Sequence, residues 1–260
     1  MYYRMKARAI LPMFALFLSG ISLYSQNIAL GYGSTFANGE YSVFDDANGD
    51  PLDPTNNALL VAGYFDAGYD VTAGVSALKS DFTVANFSSF VSNFNELYSD
   101  DFGTDVGNAS ANIAPGFFFV DVSSLAVPAA AVGETPYIMA LKGVTDFANA
   151  GLATEVGLFT DSSFATGVDP GQIPAGELIP TNYSLKKEVY SSVLLGSALE
   201  DVTLGAEYGG ILQGQTGNIY ATQAVPEPST YAMMLGALSF GFVYYKRRIA
   251  GKKTDQKQEA

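Results

Sequence analysis

An apolar segment next to basic residues stands at each end of this 260-residue chain, and the two segments confine any folded domain to the middle. At the amino end, three basic residues among the first eight precede an apolar stretch over residues 9–23, and small residues follow. A short apolar stretch with a basic front is typical of a secretory signal peptide. We therefore predict a signal peptide over residues 1–25, handled by a Sec translocon and a signal peptidase, with cleavage after Ser22 or Ser25.

The carboxyl-terminal apolar segment covers residues 229–245 and is just long enough to begin crossing a bilayer. Its apolar side chains contribute on the order of −2 kcal/mol to insertion, which suits temporary retention better than permanent anchoring. Three basic residues follow directly, and they resist translocation: Lys246, Arg247 and Arg248. We therefore predict a transmembrane helix over residues 229–245, a basic cytoplasmic tail over residues 246–260, and export of the middle of the chain.

A short proline-rich motif precedes this segment, in a linker that we predict over residues 221–228. The motif consists of Val225, Pro226, Glu227, Pro228 and Ser229. Because neither proline can continue a helix or donate to a strand ladder, we expect the motif to be extended and accessible. The order of motif, apolar segment and basic cluster resembles the PEP-CTERM sorting domain of Gram-negative envelope proteins. The resemblance covers only the tail, from about Val225 to Lys253.

The resemblance implies how the protein is exported and sorted. It implies nothing about the fold or the function of the preceding domain. An exosortase, which is a membrane-embedded transpeptidase-like enzyme, would read Pro226, Glu227 and Pro228 while the apolar segment holds the chain in the inner membrane. The protein would then reach the cell surface or the extracellular medium. A role in the matrix or surface layer of a biofilm-forming bacterium is implied, with exopolysaccharide as a partner. The competing interpretation is a plain membrane anchor with a chance Pro-Glu-Pro in its linker.

The chain contains no cysteine, histidine or tryptophan, which removes whole classes of chemistry. Neither a Ser-His-Asp triad nor a Cys-His pair can be built, and zinc and copper lack their nitrogen and sulfur ligands. A disulfide framework is excluded as well. Glycosidase chemistry needs only two carboxylates about 5 to 9.5 Å apart, but acids are so frequent here that such pairs arise by chance. We predict a structural or surface protein that is not an enzyme, with a secreted carbohydrate-active enzyme as an alternative.

The exported part is strongly acidic. Residues 26–225 contain four lysines against 23 acidic residues, hence a formal net charge of −19. A polyanion of this size is not expected to bind nucleic acid or an anionic membrane surface, because like charges repel. A solvated acidic surface explains the charge most simply, and attraction of divalent cations is the other explanation.

Seven short segments rich in Val, Ile, Phe and Tyr alternate with clusters of Gly, Pro, Asn and Asp, which predicts a mainly β domain over residues 26–220. The predicted strands cover residues 40–44, 58–65, 116–122, 135–141, 154–159, 188–195 and 218–222. This spacing favours an antiparallel β-sandwich of the jelly-roll or immunoglobulin-like type. Between Asp81 and Tyr98, apolar residues recur at helical spacing, so we predict one amphipathic helix packed on a sheet.

The acidic turn, residues 45–53, has the spacing of a metal-binding loop. Asp46, Asn48 and Asp50 place oxygen ligands at alternate positions, as a calcium loop does, although the turn glycine and the bidentate glutamate of an EF-hand are missing from their positions. Asn48-Gly49 after a strand is also a strong hairpin signal. Two interpretations stay open: a plain hairpin, or a weak calcium site in a polysaccharide- or calcium-binding surface module. We expect no other cofactor.

Overall fold

The computed structural model describes residues 27–34, 36–37, 40–101, 115–163, 173, 181–186, 189–208, 212–226, 238–240, 242 and 244–245. The predicted signal peptide and the basic cytoplasmic tail lie outside these residues. The described strands are β1 (Asn27–Gly33), β2 (Phe36–Ala37), β3 (Glu40–Asp45), β4 (Ala58–Phe65), β5 (Phe94–Asp101), β6 (Phe119–Ala126), β7 (Pro136–Lys142), β8 (Glu155–Thr160), β9 (Thr181–Lys186), β10 (Ser192–Leu195), β11 (Ser197–Thr203), β12 (Thr216–Ala221) and β13 (Gln223–Ala224). Within the described residues of the domain, the α-helices are α1 (Val71–Ser80) and α2 (Val84–Val91). Short 3-10 turns cover Pro54–Asn56, Ala129–Ala131, Phe147–Leu152 and Ala206–Tyr208.

The prediction of a mainly β domain is confirmed, and the strands form three sheets. The large sheet has the order β10-β8-β7-β4-β5, with β13 also paired to β8. A three-stranded sheet has the order β6-β1-β9, and a four-stranded sheet has the order β11-β12-β3-β2. The large sheet is antiparallel, but β1 pairs with β9 and β3 pairs with β12 in parallel. The antiparallel prediction was therefore wrong for these two pairs, whose strands lie far apart in sequence.

The large sheet is buried on both faces, and its central strand β4 shows why. All eight residues of β4 are buried, so the strand reads as a continuous apolar run. Leu60 and Tyr64 point into a core shared with the two smaller sheets, which contribute Tyr32 and Phe44 among others. The alternate residues of β4 point into a second core, which the helices and the 3-10 turn at Phe147–Leu152 cover. Sheets therefore lie on one side of the large sheet and helices on the other.

The predicted amphipathic helix between Asp81 and Tyr98 is confirmed over Val84–Val91, but its predicted extent was too long. Helix α2 ends at Val91, and Phe94 and Leu97 belong to strand β5, which pairs with β4 along its length. The two residues 92–93 form the turn between them. Helical spacing continued through Leu97 by chance, because the apolar residues of β5 happen to follow those of α2 at similar intervals. Helix α1 was not predicted.

Most predicted strands are confirmed to within two residues, namely those at 40–44, 58–65, 135–141, 154–159 and 218–222. The strand predicted at 116–122 instead runs from Phe119 to Ala126, and that predicted at 188–195 is strand only over Ser192–Leu195 among the described residues. Five further strands were not predicted: β1, β2, β9, β11 and β13. In β11 the sequence Ser-Ala-Leu-Glu-Asp-Val-Thr is mostly exposed and carries too few apolar residues to signal a strand.

Little of the predicted transmembrane segment falls within the described residues. Residues 238–240, 242 and 244–245 are helical, and their larger side chains, including Phe240 and Tyr244, are exposed. Among the described residues, the helices are all too short or too polar to cross a membrane. The transmembrane helix over residues 229–245 stays a prediction.

Candidate functional site

The predicted sorting motif begins where the chain leaves the large sheet. Strand β13 pairs with β8, with Gln223 opposite Val156 and Ala224 opposite Glu155. The backbone N–H of Val225 then donates a hydrogen bond of 2.7 Å to the carbonyl of Thr154. The Val225 side chain is 4% exposed and packs in the helix-side core. The first five residues of the predicted linker, 221–225, therefore lie against the folded domain.

Only the front of the motif is described by the structure. Val225 is buried and Pro226 is half-buried, so the chain reaches the domain surface at the first proline. The remaining predicted residues lie outside the described part of the chain: Glu227, Pro228, Ser229, Lys246, Arg247 and Arg248.

The acidic turn forms a tight loop closed by backbone and carboxylate hydrogen bonds. Asp46 Oδ1 accepts hydrogen bonds from the backbone N–H of Asn48 at 2.7 Å and of Asp50 at 3.0 Å. Gly49 has a φ of 87°, which a side chain would disfavour. Beyond the loop, Asp45 and Pro51 form an antiparallel bridge. The hairpin turn is thus confirmed, although the returning chain pairs through a single bridge.

Lys142 occupies the outer oxygen of the same carboxylate. Its Nζ lies 2.6 Å from Asp46 Oδ2 and 2.9 Å from Glu155 Oε1. Lys142 and Glu155 are opposite each other at the ends of β7 and β8. Burial alone would lower the pKa of Lys142, but the hydrogen bonds to the two carboxylates raise it. Burial likewise opposes ionisation of Asp46, yet the bonds from Lys142 and the backbone lower its pKa below the ordinary value.

This arrangement bears directly on the predicted calcium ligands. A calcium ion at Asp46 would have to displace the Lys142 ammonium, while Asn48 and Asp50 are exposed at the loop tip. Among the described residues, no group of three His, Cys, Asp or Glu side chains is arranged to hold a metal ion. The calcium site stays a prediction, and a calcium ion there would compete with Lys142 for Asp46.

Glu155 connects this ion pair to the start of the tail. Its Oε2 accepts hydrogen bonds of 2.6 Å from both the Thr222 hydroxyl and the backbone N–H of Ala47. Thr222 stands between β12 and β13, where the chain passes from the four-stranded sheet to the large sheet. We call Asp46, Lys142, Glu155 and Thr222 the junction cluster, because they meet where the two sheets and the tail come together.

Asp45 lies next to the junction cluster but has a different environment. Its Oδ2 accepts a 2.6 Å hydrogen bond from the Tyr208 hydroxyl, while Oδ1 is buried without a hydrogen-bond partner in the described part of the chain. Burial raises the pKa of Asp45 to about 7, and the nearby charges of Asp46, Glu207 and Asp50 add to the rise against the opposing bond from Tyr208.

Three members of the junction cluster were not predicted from the sequence: Lys142, Glu155 and Thr222. One signal could have found the first of them. The exported part has only four lysines among 23 acids, so a lysine at the end of a buried strand has a strong electrostatic reason to meet a carboxylate. Which carboxylate it meets depends on strand pairing between distant segments.

Comparisons with known proteins recognise the tail alone. Residues 224–248 match the family model described as the PEP-CTERM protein-sorting motif. The resemblance stated from the sequence is therefore confirmed over the motif, the apolar segment and the basic cluster. No curated protein and no solved structure matches the chain. The tail carries a sorting motif that implies processing by an exosortase and export with membrane-associated sorting to the cell surface.

Proposed function

We propose that this protein is a non-enzymatic structural component of the bacterial surface or extracellular matrix, delivered there through its tail. The match of residues 224–248 to the sorting motif carries the proposal. In this proposal the exosortase reads Pro226, Glu227 and Pro228, the segment 229–245 retains the chain in the inner membrane until then, and the three basic residues at 246–248 stop its transfer.

The position of the motif supports delivery of a domain that is already folded. The match begins at Ala224, within strand β13, and Val225 is still buried in the domain. The first proline thus follows the folded part without a spacer. We expect the sorting enzyme to meet the motif beside the folded domain, and the strongly acidic domain to lie close to the membrane before release.

We propose that the protein is not an enzyme because of the residue types that it lacks. The chain has no histidine or cysteine, so the nucleophile and base combinations of most hydrolases are unavailable. The lysine and two carboxylates of the junction cluster are engaged with one another and with the backbone. A matrix role with exopolysaccharide as a neighbour follows from the sorting motif by association.

Intact mass of the mature protein, recovered from the cell envelope and from the medium, tests the route. We expect the mature chain to lack everything beyond the Pro-Glu-Pro region, with or without the mass of an attached group. A mass that runs through to Ala260 would show a plain membrane anchor and would contradict the proposal.

A motif variant tests the recognition step in the same host. Pro226→Ala combined with Glu227→Ala is expected to leave the protein in the inner membrane, because the residues that the enzyme reads are gone. The control is Pro128→Ala with Glu134→Ala, which removes the same residue types from the domain. Surface delivery of the motif variant at the level of this control would overturn the proposal.

A further inference from the structure

Three side chains of the junction cluster, Lys142, Asp46 and Glu155, are in direct hydrogen-bonding contact. Lys142 Nζ lies 2.6 Å from Asp46 Oδ2 and 2.9 Å from Glu155 Oε1. The side chains of Asp46 and Glu155 are 4% and 10% exposed, and that of Lys142 is 20% exposed. Such a site combines three reactive groups: the amine can act as a nucleophile, one carboxyl carbon as an electrophile, and the second carboxylate as a proton carrier.

We infer that Lys142 and Asp46 join through an intramolecular amide bond, with Glu155 as the proton carrier. The lysine amine attacks Asp46 Cγ, so the new bond is Nζ–Cγ and the bond that breaks is Cγ–Oδ2. Two of the three ammonium hydrogens leave with Oδ2 as one water molecule, and the third stays on the amide nitrogen. The reaction is a condensation and needs no oxidant, reductant or cofactor.

The acidic turn prepares Asp46 for attack. When the amine adds to Cγ, negative charge develops on the oxygen that stays behind. Asp46 Oδ1 already accepts hydrogen bonds from the backbone N–H groups of Asn48 and Asp50, at 2.7 and 3.0 Å. These two donors form a preorganised pocket for the charge. The other oxygen, Oδ2, faces the amine and is the atom that departs.

Glu155 is placed to move the protons. Its Oε1 accepts a hydrogen bond from Lys142, while Oε2 is held by Thr222 and the backbone of Ala47. The carboxylate is therefore fixed in orientation, with one oxygen directed at the amine. It can take a proton from the attacking nitrogen and return it to the departing oxygen of Asp46.

The protonation states of Lys142 and Asp46 limit the rate of this reaction. The ion pair raises the pKa of Lys142 and lowers that of Asp46, so the neutral amine and neutral acid are the minor form. Burial works in the opposite direction, because a low-dielectric site favours proton transfer that removes both charges. The bond forms slowly but only once in each molecule, and the fixed geometry replaces a bimolecular encounter.

The bond would link two sheets that no disulfide can link. Asp46 directly follows β3 of the four-stranded sheet, and Lys142 ends β7 of the large sheet. The cross-link lies beside Thr222, where the chain crosses from one sheet to the other before entering the tail. A protein retained by its tail would thereby carry a covalent brace at the base of that tail, and this chain has no cysteine to supply one.

Trypsin digestion of the purified full chain, followed by mass spectrometry, tests the bond. The exported part has no arginine, and its lysines are Lys79, Lys142, Lys186 and Lys187. An amide at Lys142 blocks cleavage there, so residues 80–186 stay in one piece and remain attached to the peptide that ends at Lys79. The linked product is lighter than the sum of its parts by one water molecule. Separate 80–142 and 143–186 peptides, with no linked product, overturn the inference.

Two variants and a matched control distinguish the bond from an ordinary ion pair. Lys142→Arg keeps the positive charge but cannot form the amide, so the water is retained and the melting temperature falls. Glu155→Gln is expected to yield less linked product after equal incubation. The control is Lys79→Arg on the exposed face of α1, which leaves the linked product unchanged. Equal amounts of linked product in wild type and Glu155→Gln would remove Glu155 from the mechanism.

Discussion

The end of strand β3 presents two neighbouring carboxylates to two different regions of the molecule. Asp45 faces Tyr208 and the turn at Ala206–Tyr208, where burial raises its pKa to about 7. Asp46 faces the junction cluster, where Lys142 and backbone donors lower its pKa although burial acts against them. Both residues are at most 3% exposed. Burial alone therefore does not set the charge of an acid: a buried countercharge and a set of aligned donors decide it.

Removal of the countercharge is expected to give the largest effect. Lys142→Met keeps most of the side-chain volume but leaves two buried carboxylates, Asp46 and Glu155, without Lys142 as ion-pair or amide partner. Breaking a buried pair in this way costs about 3–5 kcal/mol. Urea denaturation of the full chain measures the free energy of unfolding, and the exposed Lys79→Met provides the control. If the two substitutions cost the same, the junction cluster does not stabilise the fold.

Substitution of Asp45 is expected to raise the free energy of unfolding, whereas Lys142→Met lowers it. Because the folded-state pKa of Asp45 is raised to about 7, the folded protein binds a proton more tightly than the unfolded chain. The contribution of Asp45 to stability therefore falls as the pH rises from about 4 to about 7. Asp45→Asn removes this dependence and is expected to stabilise the protein above pH 7 by at most about 4 kcal/mol.

The measurement is the difference in unfolding free energy between wild type and Asp45→Asn across that pH range. Asn can still accept the hydrogen bond from the Tyr208 hydroxyl, so the geometry is kept. Parallel pH profiles of the two proteins would mean that Asp45 ionises in the fold as readily as in the unfolded chain.

Addition of calcium is expected to give the smallest effect. It tests whether Lys142 prevents a cation from binding at Asp46. In wild type Lys142 already occupies Asp46, whether as an ion pair or through the amide, so calorimetry with millimolar calcium should show a melting shift close to that of Asp50→Ala, which lacks one predicted ligand. In Lys142→Met the carboxylate is open and the shift should be larger, and it should disappear on adding Asp50→Ala. A large calcium shift in wild type would restore the calcium site predicted from spacing.

Local patterns predicted some elements well and failed on others for an identifiable reason. Strand β4 was predicted to its last residue because turn residues bound an apolar run on both sides. Strand β5 was taken for helix because Phe94 and Leu97 extend the periodicity of α2, and only the pairing with β4 makes that segment a strand. Strand β1 carries Gly31 and Gly33, which weaken any strand signal, yet it lies between β6 and β9.

The sorting tail could be recognised from the order of residues alone, because a proline motif, an apolar segment and a basic cluster act through their order along the chain. The lack of histidine and cysteine chemistry could be recognised in the same way, since folding cannot supply missing residues. The contacts of the acidic turn, in contrast, depend on the tertiary structure. Asp46 and Lys142 are 96 residues apart, and Thr222 lies 67 residues beyond Glu155. Strand pairing alone brings such groups into contact, and that contact turns one carboxylate into an ion-pair partner while its neighbour stays buried beside a tyrosine.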